Sequence, residues 1–342
     1  MRFFLVIITI LLAVSCGERR DITQLPPAEI LVRCDTINEP EDYSDYTGMT
    51  VKDSLLIMFN QLTENCIRIF NLNNNSLICE FGEYGNQPAE FKSAEFTECQ
   101  MRNDSILEIH DFGQKRLKTM NLTNILNGGN IWNNIKGGIL PDELFNVHSM
   151  KRLDENSVIA RPMNGYEGGA GQIIYDFKTG KSRIIEFYPP LKGRFNKSNI
   201  YRGYTATNIN KGVIVEALLY IDAVNFYDST GEIFKSYSFR DGVKMPEIGR
   251  DKNPINRRPY SGRIYGTENY CYVNKVDEIR ENVAETKIIV FDWEGNIKKV
   301  FQLDNIWFHE FCVDEKTKRI IGTKVDYETG YVKIITYQYD EI

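Results

Sequence analysis

The chain has no CxxC pair, no HExxH segment, no glycine-rich phosphate loop and no nucleophile elbow. The first two absences argue against a structural zinc cluster and a zincin-type centre. The other two leave phosphate-loop nucleotide chemistry and serine-hydrolase catalysis without a sequence basis. Histidine is scarce, with only His110, His148 and His309. Basic residues do not dominate either. Lys and Arg number 41 against 47 Asp and Glu, a net charge of −6, which argues against a general nucleic-acid binder. The apolar run from Phe3 to Val14 is too short to span a bilayer comfortably.

What is present begins with that run. Arg2 precedes it, and Ser15, Cys16 and Gly17 follow. A positive start, a short apolar core and a small-residue cut site describe a secretory signal. The segment "AVS" before Cys16 resembles the lipobox of bacterial lipoproteins, although Ala13 stands where that motif usually has Leu. The resemblance implies that Cys16 is acylated and becomes the mature N-terminus. An ordinary cleaved signal with an incidental cysteine is the alternative. The expected organisation is a signal peptide over 1–16, a linker over 17–27 and one folded unit over 28–342.

Six further cysteines remain: Cys34, Cys66, Cys79, Cys99, Cys271 and Cys312. An even set in an exported chain is compatible with disulfides. Their spacing is wide, however, and most lie inside apolar strand patterns, so buried thiols are expected. Cys66 and Cys79 flank one hairpin and form the pair to inspect.

With 19 Tyr and 19 Phe, the composition favours strands. A faint repeat runs through the chain. Short apolar or alternating segments end at Asn71, Asn121, Asp176, Asp228, Asp292 and Asp340, in steps of 50, 55, 52, 64 and 48 residues. These Asx side chains suit turn formation. Gly180, Gly231 and Gly295 stand where a hairpin requires positive φ. Four strands per unit of about 50 residues is the spacing of a propeller blade. The fold class expected is therefore all-β, a six-bladed β-propeller. Its sixth unit ends after a third strand, so "AEILVRC" (28–34) is expected to supply the missing outer one and close the ring.

Residues 81–91, "FGEYGNQPAEF", read as the crossing from the rim of blade one to the centre of blade two. Gly82, Gly85 and Pro88 shape the crossing, and Phe81 and Phe91 anchor it between blades. The pattern is similar to the NHL-type repeat. The whole chain resembles the TolB-like propeller lipoproteins of Gram-negative envelopes. That resemblance implies a fold and a location, namely export and a lipid anchor in the cell envelope, expected at the outer membrane.

Chemistry is harder to place. His148 and His309 fall near the starts of inner strands in blades three and six. Opposite walls do not bring two nitrogens to the roughly 2.0–2.1 Å that zinc requires, so no shared metal is expected. Gluconolactonase-type propellers hold a divalent ion with channel carboxylates. Glu95, Glu98, Glu268 and Glu310 are the candidates for that alternative, a metal-dependent lactonase-type hydrolase, but no motif links them. The loops say more. Segment 164–172 reads as a flexible loop within a blade, while 190–204 and 241–260 are expected to cross from blade three to four and from four to five. They carry basic and aromatic residues on an acidic protein. Arg194, Tyr201, Arg202, Arg257, Arg258 and Tyr260 are the candidate binding residues, against a plain solvated surface with aromatics packed in seams. The expectation is a binding module without catalytic residues or cofactor, contacting an envelope protein or glycan of anionic or hydroxyl-rich character.

Overall fold

The computed structural model describes residues 22–37, 46–61, 63–97, 105–163, 171–186, 196–240, 242–250, 253–254, 259–280, 283–304, 308–326, 329 and 331–342. Its strands form six sheets in chain order. Blade one comprises Tyr46–Lys52, Leu55–Asn60, Asn65–Asn71 and Ser76–Glu83. Blade two comprises Ala94–Phe96, Ile106–Asp111, Arg116–Asn121 and Ile135–Ile139. Blade three comprises Val147–Arg152, Ser157–Pro162, Gln172–Asp176 and Lys181–Ile185. Blade four comprises Gly203–Asn208, Val213–Leu218, Val224–Asp228 and Ile233–Tyr237. Blade five comprises Ser261–Gly266, Tyr270–Arg280, Val283–Asp292 and Ile297–Gln302. Blade six comprises Phe311–Asp314, Arg319–Val325 and Val332–Gln338. The first strands of successive blades touch one another around the ring, the sixth touching the first. This is the six-bladed propeller that the repeat predicts.

The middle strands are buried on both faces because each sheet is held between two others. In Leu55–Asn60, Leu56 and Met58 pack toward blade six. Ile57 and Phe59 pack toward blade two. Strands buried on both faces read as continuous apolar runs, which is how "LLIMF" reads. Asx turns form as expected at Asn71, Asp176, Asp228 and Asp292, but not at Asp340, which lies beyond the last strand. Asp176 accepts from the N–H groups of Lys178 and Thr179 at 2.8 and 2.9 Å, and Gly180 follows at φ 66°. Asn121 instead caps the short helix Leu122–Leu126, accepting from Asn124 N at 3.0 Å.

The crossing at 81–91 has the anticipated role. Phe81 and Phe91 are buried in the seam between blades one and two. Gly82 has φ +83°, and a Cβ there would lie 3.0 Å from the Phe91 ring, so both its conformation and its space call for glycine. Cys66 and Cys79 are not bonded to each other, and both are free. Burial pushes the Cys66 thiol up to about 12. Cys99 lies outside the described residues.

Closure uses the N-terminal segment, with a correction to its bounds. The expected strand 28–34 is split. Glu29–Ile30 runs parallel to the outer strand of blade five, Glu29 opposite Phe301. Arg33–Ile37 then pairs antiparallel with Val332–Gln338 as the outer strand of blade six. The break is needed because the segment passes from one blade to the next. Leu31 is buried at the junction, while Ile30 and Val32 stay exposed. Arg33 reaches Asp304 at 3.0 Å, and the Tyr337 hydroxyl donates to the same carboxylate. No helix among the described residues is long and apolar enough to cross a membrane.

Ile37 is 1% exposed and Val32 is 76% exposed. Ile37→Ala is therefore expected to lower the unfolding free energy by about 3 kcal/mol, whereas Val32→Ala changes it by less than about 0.5 kcal/mol. Urea unfolding of both variants measures this. Removing residues 17–37 is expected to lower the melting temperature of the whole ring, since blade six then exposes an unpaired edge. Unchanged melting would refute closure by this strand.

Candidate functional site

Each inner strand begins at the same end of the ring and ends at the other. Around the axis the space narrows to a cavity of about 60 Å³ that is lined from all six inner strands or their immediate approaches, among them Gly48, Glu95, Lys151, Thr205, Ile264 and Glu310. At the end where the strands begin, it widens on the side of blades three and four. There a pocket of about 370 Å³ is bounded by Glu95, His148, Ser149, Asn199, Arg202 and Arg263, among others.

Most of the charges here are already engaged. Glu95 Oε1 accepts from Met150 N at 2.9 Å and lies 3.2 Å from His110 Nδ1. Burial would raise the Glu95 pKa, but the His110 hydrogen bond and the charge of Lys151 outweigh it and hold the carboxyl at about 2. Lys151 Nζ donates to Phe96 O at 2.6 Å. Arg263 forms an ion pair with Glu310, donates from Nε to His309 O at 3.0 Å and lies over the Tyr204 ring at 4.5 Å.

His148 and Ser149 sit at a bulge. His148 is opposite Arg161, but Lys151 is already opposite Ile159. Ser149 absorbs the extra residue at φ 51°, a left-handed conformation that is uncommon for a non-glycine residue and concentrates at functional positions. The Ser149 hydroxyl is 3.1 Å from His148 Nδ1. Burial lowers the His148 pKa to about 4, Arg161 and Arg202 push the same way, and Glu95 opposes them. The imidazole is neutral at neutral pH.

Arg202 differs from the other cations. It is exposed, and no described residue forms a side-chain hydrogen bond or ion pair with it. Its backbone is well held, donating to Asn199 O at 3.4 Å and accepting from Leu219 N at 2.7 Å. The preceding helix Lys197–Ile200 is capped by Asn196, which accepts from Asn199 N at 3.2 Å. Beneath it, Arg161 donates to Tyr201 O at 2.6 Å and to Glu216 at 2.5 Å. Gln172 and Tyr227 also donate to Glu216, at 2.8 and 2.7 Å.

The residues singled out from the sequence fall in different places. Arg202 is at the mouth. Tyr201, expected on the binding face, is fully buried and packs with Ile200, Leu218 and Ile221. The crossing must enter the seam before reaching the axis, and Tyr201 fills that entry. Tyr260 is half-buried, with Arg240 and Lys275 over its ring at 4.4 and 5.2 Å. Arg194, Arg257 and Arg258 lie outside the described residues, as does Glu98. Glu268, expected near a strand start, is exposed beyond the far end of Ser261–Gly266, in the turn to the second strand. It therefore does not join Glu95 and Glu310. His309 is exposed beside blade six. Among the described residues no group of three His, Cys, Asp or Glu converges as metal ligands. Ser149 and Arg263 were not singled out from the sequence; only their place near the start of an inner strand marks them.

No protein-family model matches the chain, and no curated protein matches it in sequence. Solved structures do resemble it. One is a member of the DUF4221 family from Bacteroides vulgatus, with a TM-score of 0.63 and 14% identity, covering 91% of this chain and 97% of that one. Another is a luciferin-regenerating enzyme, with a TM-score of 0.50 and 9% identity, covering 87% and 92%. At these identities the likeness is one of fold.

His148 generates a pH prediction. Unfolded, it takes a proton near its ordinary pKa of 6.5; folded, only near 4. Between these values the unfolded state binds more protons, so stability falls as pH falls from 6.5 to 4. The contribution is at most about 3 kcal/mol. Glu95 acts lower, losing its contribution as pH drops from 4.5 toward about 2. Urea unfolding of wild type and His148→Asn at pH 7 and pH 4.5 is expected to show a smaller acid loss in the variant. Equal losses would refute the assignment.

Proposed function

We propose that this chain is an exported, lipid-anchored propeller of the cell envelope that binds a protein or glycan partner at the channel mouth. One observation carries the binding reading: Arg202 is held by its backbone but has no side-chain partner among the described residues, at the edge of a pocket built from several blades. Binding residues concentrate on loops held by a rigid scaffold, and arginine is a frequent anchor in recognition surfaces. The anchor reading is supported by the leader and by "AVS" before Cys16. Placement at the outer membrane follows from the resemblance to the TolB-like lipoproteins.

A lactonase-type hydrolase at the same mouth is less well supported. The luciferin-regenerating enzyme shares the ring fold. Here, however, Glu95 is occupied by His110 and Met150 N, and Glu310 by Arg263. A stoichiometric divalent ion in the purified protein would reverse that preference.

A photo-crosslinking amino acid at position 199, in the mouth, is expected to trap a partner in intact cells. The same group at position 181, on the outer strand of blade three, is not. Adducts only at 181, or none at 199, would overturn the mouth as the surface that binds a macromolecular partner. Cys16→Ser is expected to abolish labelling by a fatty-acid probe; persistent labelling would rule out that anchor.

A further inference from the structure

We infer that the mouth pocket takes a hydroxylated monocarboxylate of the sugar-acid class, its carboxylate on Arg202 and its hydroxyls on the surrounding oxygens. This rests on the mouth being the recognition surface and names the chemistry that the surface suits.

Charge fixes the first part. At the mouth, Arg263 is balanced by Glu310 and Lys151 by Glu95, while His148 is neutral at neutral pH. Among the described residues of the mouth, one positive charge, Arg202, is left over. A single carboxylate matches it, and a guanidinium can grip both carboxylate oxygens at once. A phosphate dianion would bring a second negative charge close to an ionised Glu95.

Hydrogen-bonding capacity fixes the second part. The polar groups of the lining have already directed most of their donors to the protein. Thr47 Oγ1 donates to Ala94 O at 2.8 Å, and Ser198 Oγ to Asn196 Oδ1 at 2.9 Å. Asn199 Nδ2 donates to Asn253 Oδ1 at 2.7 Å. Thr47 and Ser198 still offer oxygen lone pairs, and Asn199 offers Oδ1 and its second N–H. A pocket with spare acceptors and one spare cation suits a ligand with several O–H donors and one carboxylate. Its volume of about 370 Å³ lies in the range of about 300–1,000 Å³ for small-molecule sites.

His148 reports on occupancy. The groups acting on it are Glu95 and His110 from blade two, Arg161 from the second strand of blade three, and Arg202 from the crossing. A carboxylate on Arg202 offsets one source of positive potential, so ligation raises the imidazole pKa. By linkage, the ligand then binds more tightly as pH falls toward that value.

The test is calorimetric titration of the full chain with galacturonate, glucuronate and N-acetylneuraminate. Galactose is the neutral comparison and glucose 6-phosphate the dianionic one. At least one acid is expected to bind about tenfold or more tightly than either comparison, a gap of about 1.4 kcal/mol. Arg202→Ala is expected to remove that advantage without lowering the melting temperature, and Arg202→Lys to restore only part of it. His148 ring resonances should titrate at a higher pH with the acid bound than without it. Galactose binding as tightly as the acids, phosphate binding more tightly, or an unaffected Arg202→Ala each overturns the inference. If no acid binds while crosslinks at position 199 persist, the ligand class is wrong and the mouth reading stands. If an acid binds but crosslinks are absent, the sugar-acid site stands and the macromolecular partner does not.

Discussion

A ring of sheets is stable only when every seam is filled, and the last seam must be made by the two ends of one chain. Here that constraint falls on Arg33–Ile37, which completes blade six against Val332–Gln338. An apolar cluster covers these closing seams, joining Leu31 and Ile37 to Met58 of blade one, Phe301 of blade five and Tyr337 of blade six. Burial of such surface is worth roughly 25 cal/mol per Å². Without the strand, blade six would keep a bare edge, and each inner strand would lose the fixed angle that sets the channel.

The other seams combine apolar packing with buried charge. Arg152 meets Glu108 between blades two and three. Arg161 meets Glu216 between blades three and four at 2.5 Å, and Lys275 meets Asp222 between blades four and five at 2.5 Å. Such pairs add little net stability, because removing two charges from water offsets most of their attraction. They do require satisfied partners, and the carboxylates here have them, although Arg161 Nε is buried without one. Glu216 receives Arg161, Gln172 and Tyr227. Asp222 receives Ser238 at 3.0 Å and the N–H groups of Phe239 and Arg240 at 2.9 and 2.6 Å. Each pair therefore fixes how one blade sits on the next. Arg161 has a second role, since its bond to Tyr201 O ties the buried network to the residue just before Arg202. The mouth is positioned from below.

Much of the architecture was legible in the sequence. The Asx-ended runs mark hairpins because a carboxylate or amide bonds the N–H groups next to it, and that chemistry is local. Phe81, Gly82 and Phe91 were readable as a blade crossing for the same reason: bulky anchors and positive φ are properties of a short segment. The site was read less well. Tyr201 looked like an interface anchor beside Arg202, but neighbours in a crossing can point in opposite directions. Glu268 looked like a channel carboxylate because the sequence does not say at which end of a short strand a residue falls.

The sequence by itself determined six units of strand and turn, and which segments pass between them, because backbone hydrogen bonding and side-chain alternation are written in neighbouring residues. Tertiary structure decided the rest. It split the closing segment between two blades, buried Tyr201 and left Arg202 without a side-chain partner among the described residues. It also gathered Glu95, His148, Arg202 and Arg263 around one opening. These four residues belong to different strands and crossings, and they meet only because the closed ring fixes each blade's angle about a common axis.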